Sequence, residues 1–318
     1  PVFSFSVDTT PAASPIVRTV LDDVGRVIWE ITSGDSTNDN RPTFNGTGEV
    51  GGTITLLNDG QPFGTAIVNA QGNWTFTPTA PLSEGTHTIT LSTTDVAGNT
   101  STTTSTFELT VDTFAPSAPA IINATDNVGS VLTPVTNGKT TDDTTPTLNG
   151  TAAGNATVTI YENGGVVGTV QANASGEWSF TPGSALSNGS HTWTATATDA
   201  AGNVSVASPG FTVIVDTIAP LAPVITQAFD DVGTVTGPLS NGQTTDDTVP
   251  RLIGTSEPNA TINIFEGNTL VGTTTADASG NWAVTLNTTF PEGPHQFVAR
   301  ATDAAGNTGD PSSPFNLN

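Results

Sequence analysis

The chain has no cysteine in 318 residues. That absence excludes a disulfide framework, a thiolate metal site and a thiol nucleophile. Basic residues are almost missing as well: Arg18, Arg26, Arg41, Lys139, Arg251 and Arg300 stand against 29 acidic residues, for a formal net charge of −23. Nucleic acid and anionic membrane surfaces both need a cationic face, so neither is expected as a partner. No stretch approaches the roughly 20 apolar residues of a membrane span, so membrane insertion is not expected either. The chain opens on Pro1-Val2-Phe3 instead of a signal peptide, and targeting information is expected to lie elsewhere. Composition this acidic permits disorder, but periodic Trp, Phe, Ile and Val argue for packed cores.

What the chain does contain is repetition. One pattern occurs three times at a spacing of 104 residues without net insertion or deletion. Asp8, Asp112 and Asp216 each sit in a Val-Asp-Thr junction. Asp22-Asp23, Asp126-Asn127 and Asp230-Asp231 open an Asp-(Asp/Asn)-Val-Gly loop. Asn38-Asp39, Asp142-Asp143 and Asp246-Asp247 stand shortly before Pro42, Pro146 and Pro250, and Asp95, Asp199 and Asp303 lead a Thr-Asp-x-Ala-Gly-Asn turn. Sixteen of the 20 aspartates fall in these places, so the acidity is positioned and not spread. A self-similarity of this length means an array of domains, each large enough for its own core.

Within each repeat, apolar residues alternate with period two, as in Val158-Thr-Ile160, Trp178-Ser-Phe180 and Ile89-Thr-Leu91. Such runs put one face of a strand into a core and the other into water. Clusters of Gly, Asn and Pro punctuate them, and nothing reads as a long helix. About seven short strands in about 100 residues predict an immunoglobulin-like β-sandwich. The fold class expected is therefore all-β: three tandem immunoglobulin-like β-sandwich domains in an elongated rod. In the middle repeat the strands are expected near 120–124, 147–151, 157–162, 167–172, 178–182, 190–198 and 211–215, with Trp74, Trp178 and Trp282 as core anchors. Because Phe3-Ser-Phe5-Ser-Val7-Asp8 matches Phe107 to Asp112 and Phe211 to Asp216, residues 1–9 read as the last strand of an upstream repeat. Domains then cover 10–113, 114–217 and 218–318, the third with its last strand incomplete, in a piece of a longer array.

This topology brings the acidic motifs together where one repeat meets the next. Asp22, Asp23, Asn38 and Asp39 lie at the bottom of the first repeat, Asp112 in the linker and Asp199 in the top turn of the second. Asp126, Asn127, Asp142, Asp143, Asp216 and Asp303 gather likewise at the second junction. Asp8 and Asp95 hold the corresponding places at the top of the array, and Asp230, Asp231, Asp246 and Asp247 at its foot. Carboxylates this close raise each other's pKa or drive the group apart unless a cation intervenes. Oxygen donors with no His or Cys expected nearby select a hard ion, and flexible six- to eight-fold coordination suits Ca²⁺ better than Mg²⁺. One or two Ca²⁺ per junction are expected. The alternative is that these aspartates cap turns and keep the array soluble. Neither an Asp-x-Asp-x-Asp-Gly loop with a later Glu nor a glycine-rich nonapeptide run is present.

The motifs Val111-Asp-Thr-Phe-Ala-Pro116, Asp230-Asp-Val-Gly233, Thr141-Asp-Asp-Thr-Thr-Pro146 and Thr198-Asp-Ala-Ala-Gly-Asn203 resemble the bacterial Ig-like repeats of giant type I-secreted, non-fimbrial adhesins, across all three repeats. The resemblance implies Ig-like domains strung end to end and Ca²⁺ between and near the ends of neighbouring domains. It also implies secretion to the bacterial cell surface and attachment to a host-cell glycan or receptor, as in virulence. The ligand candidates it implies are the aspartates already named. Asn38 and Asn127 depart from the pattern where sibling repeats have Asp; an amide oxygen can still coordinate, so weakened sites are expected there.

His87, His191 and His295 recur once per repeat, and without a consistent Ser, Cys or carboxylate neighbour they are expected to brace the corner before the sixth strand. Acidic pairs could suggest glycoside hydrolysis, but they recur at domain ends where no cleft is expected, so no enzyme is predicted. Trp29, beside Arg26, is unique to the first repeat and could stack on a sugar or dock a receptor, but packing over the loop or against the neighbouring strand is the favoured reading. Surfaces alike in all three repeats favour a stalk, a patch found in one repeat favours receptor or glycan binding, and Ca²⁺-dependent association of arrays would favour a biofilm matrix.

Overall fold

The computed structural model describes residues 4–25, 28–104, 106–129 and 134–318. The first domain contains β1 (Ile16–Asp22), β2 (Trp29–Ile31), β3 (Ser36–Thr37), β4 (Thr43–Thr47), β5 (Thr53–Asn58), β6 (Gln61–Ile67), β7 (Asn73–Phe76), β8 (Gly85–Thr94) and β9 (Phe107–Val111). The second contains β10 (Ala120–Thr125), β11 (Pro134–Val135), β12 (Lys139–Thr141), β13 (Thr147–Thr151), β14 (Thr157–Glu162), β15 (Gly165–Gln171), β16 (Glu177–Phe180), β17 (Gly189–Thr198) and β18 (Phe211–Val215). The third contains β19 (Val224–Asp230), β20 (Gly237–Leu239), β21 (Arg251–Thr255), β22 (Thr261–Glu266), β23 (Thr269–Thr275), β24 (Asn281–Thr285), β25 (His295–Thr302) and β26 (Phe315–Leu317). No helix occurs among the described residues, so none is long and apolar enough to cross a membrane.

Each domain is a sandwich of two sheets. In the second, the order β11-β10-β13-β16 faces β12-β18-β17-β14-β15; the first follows the same plan, and the third pairs β20-β19-β21-β24 with the four-stranded β23-β22-β25-β26, without a counterpart of β12 among the described residues. Five of the seven expected strands lie within a residue of their reading. The fourth and fifth begin two and one residues early and end before Ala172 and Pro182. The long connection after the first strand holds more than expected: β11 pairs with β10, and β12 runs parallel to β18. Two- and three-residue strands leave no alternation to read, and their pairing exists only once distant strands are in place. Residues 4–15 carry no strand, and Phe5 and Val7 are exposed, because no neighbouring sheet edge meets them.

Each core is separate and built alike. Trp74, Trp178 and Trp282 are 2–4% exposed, as expected of anchors. What composition did not reveal is their seat. Gly46, Gly150 and Gly254 on the facing strands pair with these tryptophans, and a Cβ at any of them would collide with the indole ring and with a carbonyl oxygen of the first strand. The tryptophan therefore fills the volume that a missing side chain leaves, the kind of fit that dense packing demands.

The histidines do brace the corner, but with partners the sequence reading overlooked. In each repeat Nε2 meets a carbonyl oxygen, of Ser83, Ser187 or Pro291, at 2.8 Å. Nδ1 meets Asn58 Oδ1 at 3.1 Å in the first domain, but Glu162 and Glu266 Oε1 at 2.5 Å in the others. A carboxylate thus bonds the ring in two repeats of three, at the ends of β14 and β22, and in the first Asp59 Oδ2 stands 3.9 Å from His87 Nδ1. The bond to Glu266 holds the His295 pKa above its ordinary value.

Two outcomes follow. Gly150→Ala should destabilise the second domain by about 2–3 kcal/mol through overpacking, read as a lower denaturant midpoint with loss of near-ultraviolet tryptophan dichroism. Since the His295 pKa is raised on folding, its contribution is fully present below the unfolded histidine value and is lost as pH rises through the folded one. Glu266→Gln should flatten that part of the third domain's melting temperature against pH.

Candidate functional site

The functional candidates are assembled by local hydrogen bonding that the acidic motifs encode. Asp22 ends β1 and is fully buried; its Oδ1 accepts from the Val24 amide at 2.9 Å and its Oδ2 from Thr37 Oγ1 at 2.6 Å. The Asp39 amide donates to Thr37 Oγ1 at 3.1 Å, and Asp39 Oδ1 accepts from the Arg41 amide at 2.7 Å. Thr37 is therefore a relay that ties the two acidic loops of one domain. Thr141 joins Asp126 to Asp143, and Thr245 joins Asp230 to Asp247, in the same way. The recurring Thr-(Asn/Asp)-Asp motif contains these threonines, but sequence reasoning gave them no role, because only the fold brings each hydroxyl to the first acidic loop.

The top turn is built around one side chain that was also missed. Asp199 Oδ1 accepts from the Ala201 and Asn203 amides, both at 2.9 Å, and Asn203 Nδ2 donates to Asp199 Oδ2 at 3.0 Å and to the Asp112 carbonyl at 2.8 Å. The asparagine of the turn thus fastens the preceding linker. Asn307 does this for the Asp216 carbonyl at 2.8 Å, and Asn99 for that of Asp8 at 3.2 Å. In the first domain the bond from Asn99, with the surrounding amides, holds the Asp95 carboxyl below the usual range. Linker Asp112 and Asp216 in turn donate their amides to the Thr37 and Thr141 carbonyls, each at 2.9 Å.

The structure brings the two ends together at each junction. Ala201 and Ala305, in the turns that face an upstream domain, are 1% and 3% exposed, whereas the equivalent Ala97 is exposed. At the first junction the Asn38 amide donates to the Ala201 carbonyl at 3.2 Å. At the second, burial pushes the Asp142 carboxyl up, and the Asp126, Asp303 and Asp143 charges push it further; Asp303 belongs to the next domain. Burial, with Asp22 and Asp23 nearby, likewise raises Asp39.

Both readings of the aspartates find physical support. The Asp22, Asp39 and Asp199 carboxylates cap their own turns through the amides of Val24, Arg41, Ala201 and Asn203. Among the described residues, no group of three or more acidic or histidine side chains stands arranged to hold one ion. Yet Asp142 Oδ1 is buried with no hydrogen-bond partner, as is Asp247 Oδ2 at the foot of the third domain. An orphaned, charged oxygen among other carboxylates fits a hard divalent cation. Asp23, Asn127, Asp231 and Asp246 are exposed beside these oxygens. One expectation needs correction: His295 lines the same cavity of about 510 Å³ as Asp246 and Asp247, so a histidine is near the acidic loops. Both its nitrogens are already engaged.

Of the two readings of Trp29, the structure favours packing: it lies in β2 as the partner of Asp22 on the neighbouring strand and is half-buried. The strand has counterparts in β11 and β20, which pair with β10 and β19 as β2 pairs with β1; only the tryptophan is particular to the first repeat. Arg26 lies outside the described residues.

The architecture and its matches define the class. The chain belongs to the bacterial Ig-like domain family, whose model matches residues 30–113, 122–217 and 223–318. Among solved structures it is similar to fibronectin(III)-like modules of Clostridium thermocellum CbhA, at 14% identity over 62% of this chain and 94% of that one, with a TM-score of 0.36. It is also similar to a tetra-tandem repeat in the extending region of a large adhesion protein (21% identity, 90% and 73% covered, TM-score 0.28). A third likeness is to the BSP domain of a biofilm associated protein (12%, 98% and 67%, 0.23). A comparison with curated proteins gives no match.

Since the ionised Asp142 is a cost to the junction, Asp142→Asn should raise the melting temperature in chelator by roughly 1–3 °C. The same substitution should shrink any stabilisation that Ca²⁺ brings, measured by calorimetry with and without the ion.

Proposed function

We propose that this chain is a segment of a bacterial surface adhesin whose acidic junctions take up Ca²⁺ and thereby fix each Ig-like domain against the next. The observation that carries the reading is Asp142, with one carboxylate oxygen buried and unpartnered between Asp126 and Asp143 of its own domain and Asp303 of the following one. Asp142, Asp126, Asp143, Asp216 and Asp303 would hold the ion at the second junction, with Asn127 beside them. Asp22, Asp23, Asp39, Asp112, Asp199 and the Asn38 amide oxygen are the corresponding set at the first. Bound there, Ca²⁺ would cancel the mutual repulsion of these carboxylates through six to eight oxygen ligands.

The chain's own groups supply the rest of the mechanism. Thr37 and Thr141 hold the two loops of the upper domain in register, and Asn203 and Asn307 fix the linker carbonyl to the turn of the lower domain. Between them only a short linker remains to bend, and small interfaces within a chain hinge by default. A closed junction turns the array into a rod that carries an adhesive end outward to a host glycan or receptor. Within the adhesin class, the junction motifs resemble those of SiiE of Salmonella and, more distantly, of the biofilm-associated protein BapA, a likeness that favours type I secretion and display on the cell surface.

Small-angle scattering of the chain in Ca²⁺, in chelator and in Mg²⁺ at matched ionic strength tests this. The maximum dimension should be long and sharply defined only in Ca²⁺, with a midpoint of roughly 10⁻⁴ to 10⁻³ M, the range of extracellular modules. Profiles that ignore chelation would return the aspartates to turn caps alone.

A further inference from the structure

Resting on the calcium reading, we infer that the two junctions respond differently to the ion: the first stays closed without it, through the contacts that Asn38 makes, while the second, packed as closely but lacking such a bond, carries the charges of Asp142 and Asp303 and opens unless a cation joins them. The difference lies in one position. Asn38, Asp142 and Asp246 are equivalent, and only the first is uncharged.

Asn38 faces the next domain. Its backbone N–H donates to the Ala201 carbonyl at 3.2 Å, and its uncharged side chain is turned outward, with Nδ2 over the turn 3.7 Å from where a Cβ on Gly202 would stand. Asp142 faces its own domain. Its Oδ2 occupies the space a Cβ on Gly129 would need, its Oδ1 is buried without a partner, and Asp303 adds a like charge from below. Among the described residues, no hydrogen bond joins this loop directly to the turn of the third domain.

The third domain shows that this pose is intrinsic to aspartate. Asp246 takes the same place against Gly233 with no further domain described below it, so the pose of Asp142 is not imposed by its neighbour. In the first domain, Gly25 has nothing within 4 Å of its Cβ position. Both junctions carry five aspartates, and Lys139 lines the same cavity as Asp126 and Ala305 at the second, so it is the placement of charge and not a larger total that sets the second apart. The first junction's counterpart charge, on Asp23, is exposed to solvent, where salt screens it within about 8 Å. The second keeps its charge on Asp142, inside the contact.

The absence of cysteine makes the test clean. Thr65, Thr169 and Thr273 are equivalent and exposed, so paired cysteines there carry spin labels across one junction each. In the intact chain, the 65–169 distance distribution should be narrow in Ca²⁺ and in chelator, and the 169–273 distribution narrow only in Ca²⁺. Asn38→Asp should make the first pair calcium-dependent, and Asp142→Asn should narrow the second pair in chelator. If Ca²⁺ narrows both pairs alike, the inference is overturned while the calcium reading stands. If Ca²⁺ alters neither, the calcium reading fails and the inference with it.

Discussion

A carboxylate taken out of water must be given hydrogen bonds or a counter-charge, and this chain has only six basic residues to offer. Asp22, Asp126 and Asp230 are nevertheless buried at the end of the first strand of each domain. Amides and threonine hydroxyls satisfy them instead, and that requirement shapes everything around it. It folds the connection after the first strand back on itself, sets the second acidic loop beside the first, and presents both to the next domain. Where donors run out, as at Asp142 Oδ1, a charged oxygen is left that the protein alone does not neutralise.

The sandwich beneath each loop cluster contributes rigidity more than chemistry. Its tryptophan lies on a glycine of the facing strand, and the three cores share this seat although most of their other residues differ. Substitution elsewhere is tolerated as long as volume is kept. Trp193 takes the place that Ile89 and Phe297 hold in the other domains, all three fully or almost fully buried.

Much of this was legible in the chain because alternation and punctuation coincide. Thr147–Thr151, Thr157–Glu162 and Phe211–Val215 could be read to the residue, each bounded by Gly, Asn or Pro. The convergence of loops and turns across a junction also followed from strand order, and Ala201 and Ala305 record it in their burial. Three things were not legible. Thr37 looks like any strand threonine until its hydroxyl meets Asp22. Glu162 and His191 are 29 residues apart, and only the pairing of β14 with β17 joins them. Asn38 reads as a weakened ligand, whereas its amide nitrogen turns out to face the neighbouring domain.

The parallel pairing of β3 with β9 and of β12 with β18 bears on how such an array would carry tension. A pull along the chain draws on the last strand of a domain from one end and on the first from the other. Because the short strand after the first lies parallel to the last, its bonds, such as those of Thr140 opposite Ile214, would be loaded together in shear instead of being peeled one at a time. Adjoining them, the linker aspartate's amide bonds the end of that same short strand. The ladder that resists pulling therefore ends at the acidic junction, so stiffness between domains and mechanical strength within them share a common anchor.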